Sequence, residues 1–450
     1  MKKNDQEKYD WRITQKPERE YIHDYSKTLT VKMLMSKPDK KDRHSIVSCT
    51  FEEALNRVIE LNNLTPSIHK IIYLVGWQFN GHDDGYPDMS VVNPLLKRKE
   101  DASAKDSLIW LMRESKKYNT TISCHVNFTD AYKESDLWDE YWEKGLISQK
   151  KKNVPLKIGK WNGRTAYQIN YKNEWDSGVC KKKIDDLVTK LNLKEAGTVH
   201  IDAFFCRESK GQNIAIDVEK GYRRQIIRYF RDLGIDVTTE FLYGEKGEVD
   251  LIGLVPMIWW LNQSKQDYLS RPASLLCGGK PNRKYKGFRK NLDRIFGKSI
   301  HGEEFWNTDD SLKNILDRYC LDSLTFFYLN RFKRLKVEGY GKKLKAKYEC
   351  NVVSCAKDHL IYQDNYIVRE NYNVLVQEIW GNKKNLILYS REGYSNKKWT
   401  LPDDLKYKRE IAVFKITGKG LVEKETIEII KGDFYFSCMS KEAYYLKVKV

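Results

Sequence analysis

Two carboxylates stand out by where they fall. Asp202 lies inside an otherwise apolar run, Val199-His200-Ile201-Asp202-Ala203-Phe204-Phe205, and Glu240 ends Ile235-Asp236-Val237-Thr238-Thr239-Glu240. A lone charge is expensive to bury, so each acid is either a structural partner of an Arg or Lys or a reacting group. Their arrangement favours reaction. Adjacent parallel strands lie about 4.8 Å apart. Carboxylates at the ends of two such strands can approach the roughly 5 to 5.5 Å used in glycoside double displacement, whereas inversion needs a wider gap to admit a water. In that chemistry Asp202 is the candidate nucleophile and Glu240 the candidate general acid/base.

Further polar residues converge on the same strand ends. The run Gly76-Trp77-Gln78-Phe79-Asn80-Gly81-His82-Asp83-Asp84 supplies many hydrogen-bonding groups, which suits the paired hydroxyls of a sugar, and Trp77 offers an aromatic wall. A polar turn hinged at Gly81 and Gly85 is the plainer reading of the same residues. His125 and Asn127, in His125-Val126-Asn127, add two more polar candidates, with a satisfied core histidine as the alternative for His125. Trp138, Trp142, Trp161 and Trp175 fall in a polar stretch where stacking on sugars and packing within a lid explain them equally well, while Trp259-Trp260 reads as core. His82, Asp83 and Asp84 lack a third histidine at standard metal-ligand spacing. No nucleophilic-serine elbow and no phosphate-cradling GxxxxGK[ST] is present.

The elements that must hold these residues are legible as a rhythm. Ser45 to Ser48 reads as a strand, and Thr50 with Glu53 forms a capping box for a helix over Phe51 to Leu61. Ile71 to Val75 is a continuous apolar run, as expected of a parallel strand covered on both faces. A helix over Ser107 to Lys117, a strand over Thr121 to Val126, a helix over Lys181 to Leu191, the Asp202 strand, a helix over Asp217 to Leu233 and the Glu240 strand follow. Such alternation implies a parallel sheet. The number of units, and the lack of a glycine-rich fingerprint after the first strand, favour a (β/α)8 TIM-type barrel over a doubly wound sheet. Active sites of such barrels sit at the carboxyl ends of the strands, where the candidate residues fall. After about residue 345, short strands between polar turns predict an antiparallel β-sandwich. The expected organisation is therefore an N-terminal edge extension over 1–40, a barrel over 41–345 with an insertion at about 130–180, and a β-sandwich domain over 346–450.

Composition narrows the class. Of 450 residues, 41% are hydrophobic and 12% aromatic, enough for a sizeable core. No run of eighteen apolar residues suggests a membrane span. The charged start, Met1 to Lys8, has no apolar segment behind it, so a cytoplasmic location is expected. Nine cysteines without a CxxC pair read as reduced, mostly buried thiols. The net charge of +18 raises the question of a nucleic-acid partner. Its lysines are spread along the chain and no nucleic-acid-binding signature accompanies them, so a solvated basic surface is the preferred reading.

The motif strings resemble one family. Tyr73-Leu74-Val75-Gly76-Trp77-Gln78-Phe79-Asn80-Gly81-His82-Asp83-Asp84-Gly85-Tyr86-Pro87-Asp88 is similar to the signature of glycoside hydrolase family 101, the endo-α-N-acetylgalactosaminidases. His125 to Tyr132, Ile201-Asp202, Thr239-Glu240-Phe241 and Lys398 to Pro402 resemble further segments of that family. The resemblance implies retaining hydrolysis of α-linked N-acetylgalactosamine, with release of Gal-β1,3-GalNAc from mucin-type O-glycans in the better-known members. It places Asp202 as nucleophile and Glu240 as acid/base, with His82 and Asp83 on sugar hydroxyls and Gln78 and Asn127 in or beside the pocket. It implies a carbohydrate partner and no cofactor or metal. The chain departs from the family pattern after Asp202, where Ala203-Phe204-Phe205-Cys206 stands. An exo-acting α-N-acetylgalactosaminidase, as in the related family 129, and a non-catalytic glycan- or polyanion-binding protein are the competing expectations.

Overall fold

The computed structural model describes residues 8–241, 251–260, 265–276, 295–306, 311–382 and 384–449. The charged start of the chain up to residue 7 and Leu242 lie outside them. The chain forms two compact units. One comprises Met1–Asp24, Lys32–Asn56 and Ile71–Trp259, the other Tyr25–Val31, Arg57–Lys70 and Trp260–Val450. Among the described residues no helix is long and apolar enough to cross a membrane.

The principal sheet runs, in spatial order, Ile258–Trp260, Asp236–Phe241, Thr198–Asp202, Thr120–Asn127, His69–Val75, Thr28–Leu34 and Ile300–His301. Thr198–Asp202 pairs in parallel with both Asp236–Phe241 and Thr120–Asn127. In the second unit, Thr30 and Val31 pair in parallel with Ile300 and His301. The sheet is curled rather than flat. Lys32 Nζ, from the Thr28–Leu34 strand, lies 4.7 Å from the ring centre of Trp259, which is five places away in the sheet, in the Ile258–Trp260 strand. A flat sheet with strands about 4.8 Å apart would hold them about 24 Å from each other. This is the TIM-like barrel the alternation predicts. Seven of its strands lie among the described residues.

Helices cover the outside for reasons written locally. Thr50 and Glu53 form the expected capping box, with Thr50 N donating to Glu53 Oε2 at 2.7 Å and Glu53 N to Thr50 Oγ1 at 3.3 Å. They open the Phe51–Leu64 helix. Ser103 and Asp106 do the same for Ala104–Ser115. The Ile216–Asp232 helix buries Ile226, Ile227 and Phe230 along one stripe.

One expectation is corrected. Ser45–Val47 is no barrel strand: it pairs antiparallel with Ser36–Pro38 and is largely exposed. The barrel's first strand is Thr28–Leu34, inside the segment expected to be an edge extension. Its residues alternate: Leu29, Val31 and Met33 are apolar and Thr28, Thr30 and Lys32 polar, yet all six are buried. A strand whose second face lines a polar barrel interior looks half-exposed in sequence.

The insertion forms a small antiparallel sheet of Asp130–Tyr132, Arg164–Gln168 and Lys157–Trp161. Trp138 stacks on Trp142 at 6.4 Å and packs against Tyr167 at 5.0 Å, and Trp175 packs edge-on against Tyr229 at 5.6 Å. Trp161 is 46% exposed.

In the second unit, ten strands from Arg334–Glu338 to Gly420–Glu428 make one antiparallel sheet, and Tyr394–Thr400 pairs with Asp433–Cys438 in a separate ribbon. Phe436 of the ribbon meets Tyr444 of the large sheet edge-on at 4.9 Å, so the ribbon packs against that sheet there. Every residue of Asn385–Ser390 is buried, as expected of a strand covered on both sides.

Candidate active site

Strand register brings the two acids together. His200 pairs with His125 and Asp202 with Asn127, while Thr198 to Ile201 pair with Asp236 to Thr239. One residue further along, Glu240 stands level with Asp202. Period-two alternation sends Thr198, His200 and Asp202 to the same face as Thr238 and Glu240. That face is the barrel interior: His200 Nδ1 lies 2.8 Å from Thr238 Oγ1, and Tyr73 OH lies 2.7 Å from Thr198 Oγ1 across the intervening strand. The rings of Tyr73, His125 and Trp259 each lie 5.2 to 5.4 Å from that of His200 and fill the layer beneath the acids.

Asp202 is 15% exposed at its side chain and Glu240 13%, so both acids are largely but not wholly buried. His125 Nε2 lies 3.4 Å from Asp202 Oδ2, and Asn127 Nδ2 donates to the same oxygen at 3.5 Å. Asn127 is itself fixed, because its Oδ1 accepts from Thr129 N at 2.7 Å and Asp130 N at 2.9 Å. Two consecutive non-glycine residues after Asp202, Ala203 and Phe204, have φ of 54° and 47°. Left-handed backbone at such residues costs on the order of 1 kcal/mol each and often accompanies functional turns. The turn is braced from outside the pocket, with buried Arg223 Nη1 donating to Phe204 O at 3.1 Å and Tyr171 OH to Phe205 O at 2.7 Å.

His82 and Asp83 arrive on the loop after the His69–Val75 strand. His82 Nε2 lies 3.4 Å from Asp83 Oδ2, and the His82 ring is 5.3 Å from that of His125. The loop needs glycine at its root: Gly76 has φ 71°, and a Cβ there would lie 1.9 Å from Ser36 O. His82 N donates to Ser36 O at 2.9 Å and Asn162 Nδ2 to His82 O at 3.1 Å, so the loop is tied on two sides. Asp84 is held by buried Arg164 and by Asn80 N.

The structure revises two of the expected sugar contacts. Trp77 is fully buried, its Nε1 donating to His125 O at 2.9 Å, so it braces the His125 strand instead of walling the pocket. Gln78 is 1% exposed and donates to Tyr86 OH at 2.9 Å, bracing the loop. His82, Asp83, His125, Asn127, Asp202 and Glu240 do converge.

Sequence reasoning missed Lys32. Its ammonium ion-pairs with Glu240 Oε1, and the side chain is 4% exposed. A lone lysine in the run Thr28 to Leu34 was the available signal. Asp130 was also missed as a site group: it is 4% exposed and electrostatically coupled to Asp83 and Asp202.

The pocket gathers more acids than it neutralises. Burial pushes the Asp83 carboxyl up to about 6, the Asp202 and Glu240 charges adding to the rise and His82 and Lys32 opposing it. Burial likewise raises Glu240, with Asp202 adding and Lys32 and His125 opposing. Asp130 is held well above the usual carboxylate range by burial and by the Asp83 and Asp202 charges. His200 is pushed well below the usual imidazole range by burial, then by Lys32 and His125. Acids whose proton affinity is raised by burial and by one another's charge are equipped for proton transfer coupled to nucleophilic attack. His82, His125 and Asp202 also bring one ligand atom each within 4.8 Å of one another, a grouping that could accept a cation, but it uses the same carboxylate that faces Glu240.

Known proteins carry the same arrangement of strands. The α-N-acetylgalactosaminidase NagBb from Bifidobacterium bifidum, solved as a quadruple mutant, is similar with a TM-score of 0.53 at 10% identity, over 74% of this chain and 56% of that one. Its GalNAc complex gives 0.51 at 10% identity, over 75% of this chain and 57% of that one. The chain thus spans little more than half the length of that structure, and the likeness establishes the fold. No curated protein matches the chain. Residues 23–251, half the chain, match the glycoside hydrolase family 101 description, endo-alpha-N-acetylgalactosaminidase. This stretch contains His82, Asp83, His125, Asn127, Asp202 and Glu240, and by it the chain belongs to glycoside hydrolase family 101.

Proposed function

We propose that the chain is a retaining α-glycosidase for α-linked N-acetylgalactosamine, with Asp202 as nucleophile and Glu240 as general acid/base. The observation that supports it most is the register that sets Asp202 and Glu240 level on neighbouring parallel strands, each with a partly exposed side chain. Neighbouring strands lie about 4.8 Å apart, close to the separation double displacement uses.

In the first step Glu240 gives its proton to the glycosidic oxygen as the C1–O bond breaks, and an Asp202 oxygen forms a bond to C1 from the opposite face. In the second, Glu240 takes a proton from water, the water oxygen bonds to C1, and the Asp202 ester breaks. Some enzymes acting on N-acetyl sugars use the substrate's own acetamido group as nucleophile. In an α-linked GalNAc that group is cis to the leaving group and cannot attack from behind, so the protein must supply the nucleophile. His125 and Asn127 orient Asp202, and His82 and Asp83 are placed to receive ring hydroxyls. The basic surface is not needed for this chemistry.

The test is hydrolysis of aryl α-GalNAc and aryl α-(Gal-β1,3-GalNAc), with the first-formed anomer followed by proton NMR. Release of the intact disaccharide as its α-anomer supports endo action with retention. Turnover of the monosaccharide alone supports an exo-acting form. A β-anomer as first product rejects double displacement, and binding without turnover of either substrate rejects catalysis.

A further inference from the structure

Lys32 comes from the Thr28–Leu34 strand and reaches across the barrel interior to Glu240, on a strand four places away in the sheet. The ion pair is nearly dry, with side chains 4% and 13% exposed. The Lys32 ammonium also lies over the face of Trp259, at 4.7 Å, which fixes it from a second side. Among the described residues, the charged groups acting on Glu240 are Lys32, Asp202 and Asp83, together with the titratable His125. Of these, the two carboxylates favour a protonated Glu240, while a cation in contact favours the ionised form. A retaining enzyme needs both forms in turn: protonated to assist departure of the aglycone, ionised to activate water.

We propose that Lys32 is a positioning residue that acts through Glu240: its ammonium holds the carboxylate in the ionised, pocket-facing orientation required of the base and so sets the balance between the two half-reactions. This rests on the assignment of Glu240 as acid/base. By aiming the carboxylate at the attacking water Lys32 assists the second step, and by favouring the ionised form it makes the first step, in which Glu240 must carry a proton, harder. A lysine serving only to neutralise a buried charge would affect folding but would not divide the two steps.

The experiment compares K32M, K32Q and K32R with the unchanged enzyme and with the E240Q and K32M/E240Q variants. Two readouts are taken: the pH profile of kcat/KM on an alkyl α-GalNAc glycoside, whose departure needs an acid, and the pre-steady-state burst with an activated aryl α-GalNAc. In K32M and K32Q the alkaline limb should move up by about one pH unit or more, as loss of an adjacent opposite charge demands. The burst should become more pronounced as the glycosyl-enzyme accumulates, and K32R should restore both. In the E240Q background, K32M should change neither rate by more than about twofold, because effects routed through one residue are not additive. An unmoved limb in folded K32Q, or an equal loss from K32M with and without Glu240, would overturn the proposal. Loss of the acid/base assignment itself would show differently, as an E240Q variant whose loss does not depend on the leaving group.

Discussion

Two regions of the molecule bury polar groups, and they do so in opposite ways. In the antiparallel sheet unit, Asp317 accepts from Tyr389 OH at 2.7 Å and from Arg391 Nε and Nη2 at 2.7 and 2.6 Å. Glu378 Oε2 there accepts from Asn385 Nδ2 at 3.1 Å and Tyr445 OH at 2.6 Å. Each acid meets donors. In the barrel mouth, Asp83, Asp130, Asp202 and Glu240 act on one another as well as on Lys32, His82, His125 and Arg207, and burial with mutual repulsion raises three of the four. Acids matched to donors hold a fold together, whereas acids set against one another store the free energy that a proton-transfer site draws on. Substitution in the first region should therefore cost stability, and in the second, activity.

The largest effect expected is on turnover. Asp202→Asn should lower kcat/KM on the order of 10⁴-fold or more with little change in thermal unfolding, because the nucleophile is removed but its shape is kept. Wild-type turnover in that variant would erase the contrast. Glu240→Gln should cost about 10²- to 10⁴-fold on poor leaving groups and far less on activated aryl glycosides. Equal losses on both would leave the acid role unsupported.

A stability effect should follow in the other region. Asp317→Asn weakens three hydrogen bonds and should lower unfolding free energy by about 1 to 3 kcal/mol, read by chemical denaturation, with kcat/KM unchanged. A comparable loss of activity would mean that the two regions are not functionally separable.

The smallest effect has the opposite sign. The Asp83 carboxyl is raised from its ordinary 3.8 to about 6. The native state therefore holds a proton that the unfolded chain has released between about pH 4 and pH 6, and stability falls as pH rises through that window. Asp83→Asn should then stabilise the protein above pH 6, on the order of 1 kcal/mol, with the gain vanishing below pH 4. Its sugar affinity should drop. A variant destabilised at pH 7 would show that Asp83 is a structural acid.

Much of this contrast was legible in the residues. Strand-forming runs alternating with helices, with polar residues at or just after their carboxyl ends, marked the His69–Val75, Thr120–Asn127, Thr198–Asp202 and Asp236–Phe241 strands, and the pairing of Asp202 with Glu240 follows once those runs are taken as parallel neighbours. The capping box at Thr50 and Glu53 is a local code and was readable as such. Thr28–Leu34 was not, because polar residues at every second position mean solvent in most strands and mean the interior in a barrel with a polar core. Ser45–Val47 misled for the converse reason: a short apolar run reports β-propensity without naming its partner. The burial of Trp77 and Gln78 was hidden because a loop's sequence does not say which of its side chains turn inward. Lys32 went unseen because its partner lies 208 residues away.

The most direct test of the central claim is to trap the glycosyl-enzyme with an activated 5-fluoro glycosyl fluoride of the GalNAc series and locate the adduct by peptide mass spectrometry. The account predicts one ester, on Asp202. An ester on Glu240 or Asp83 would contradict it.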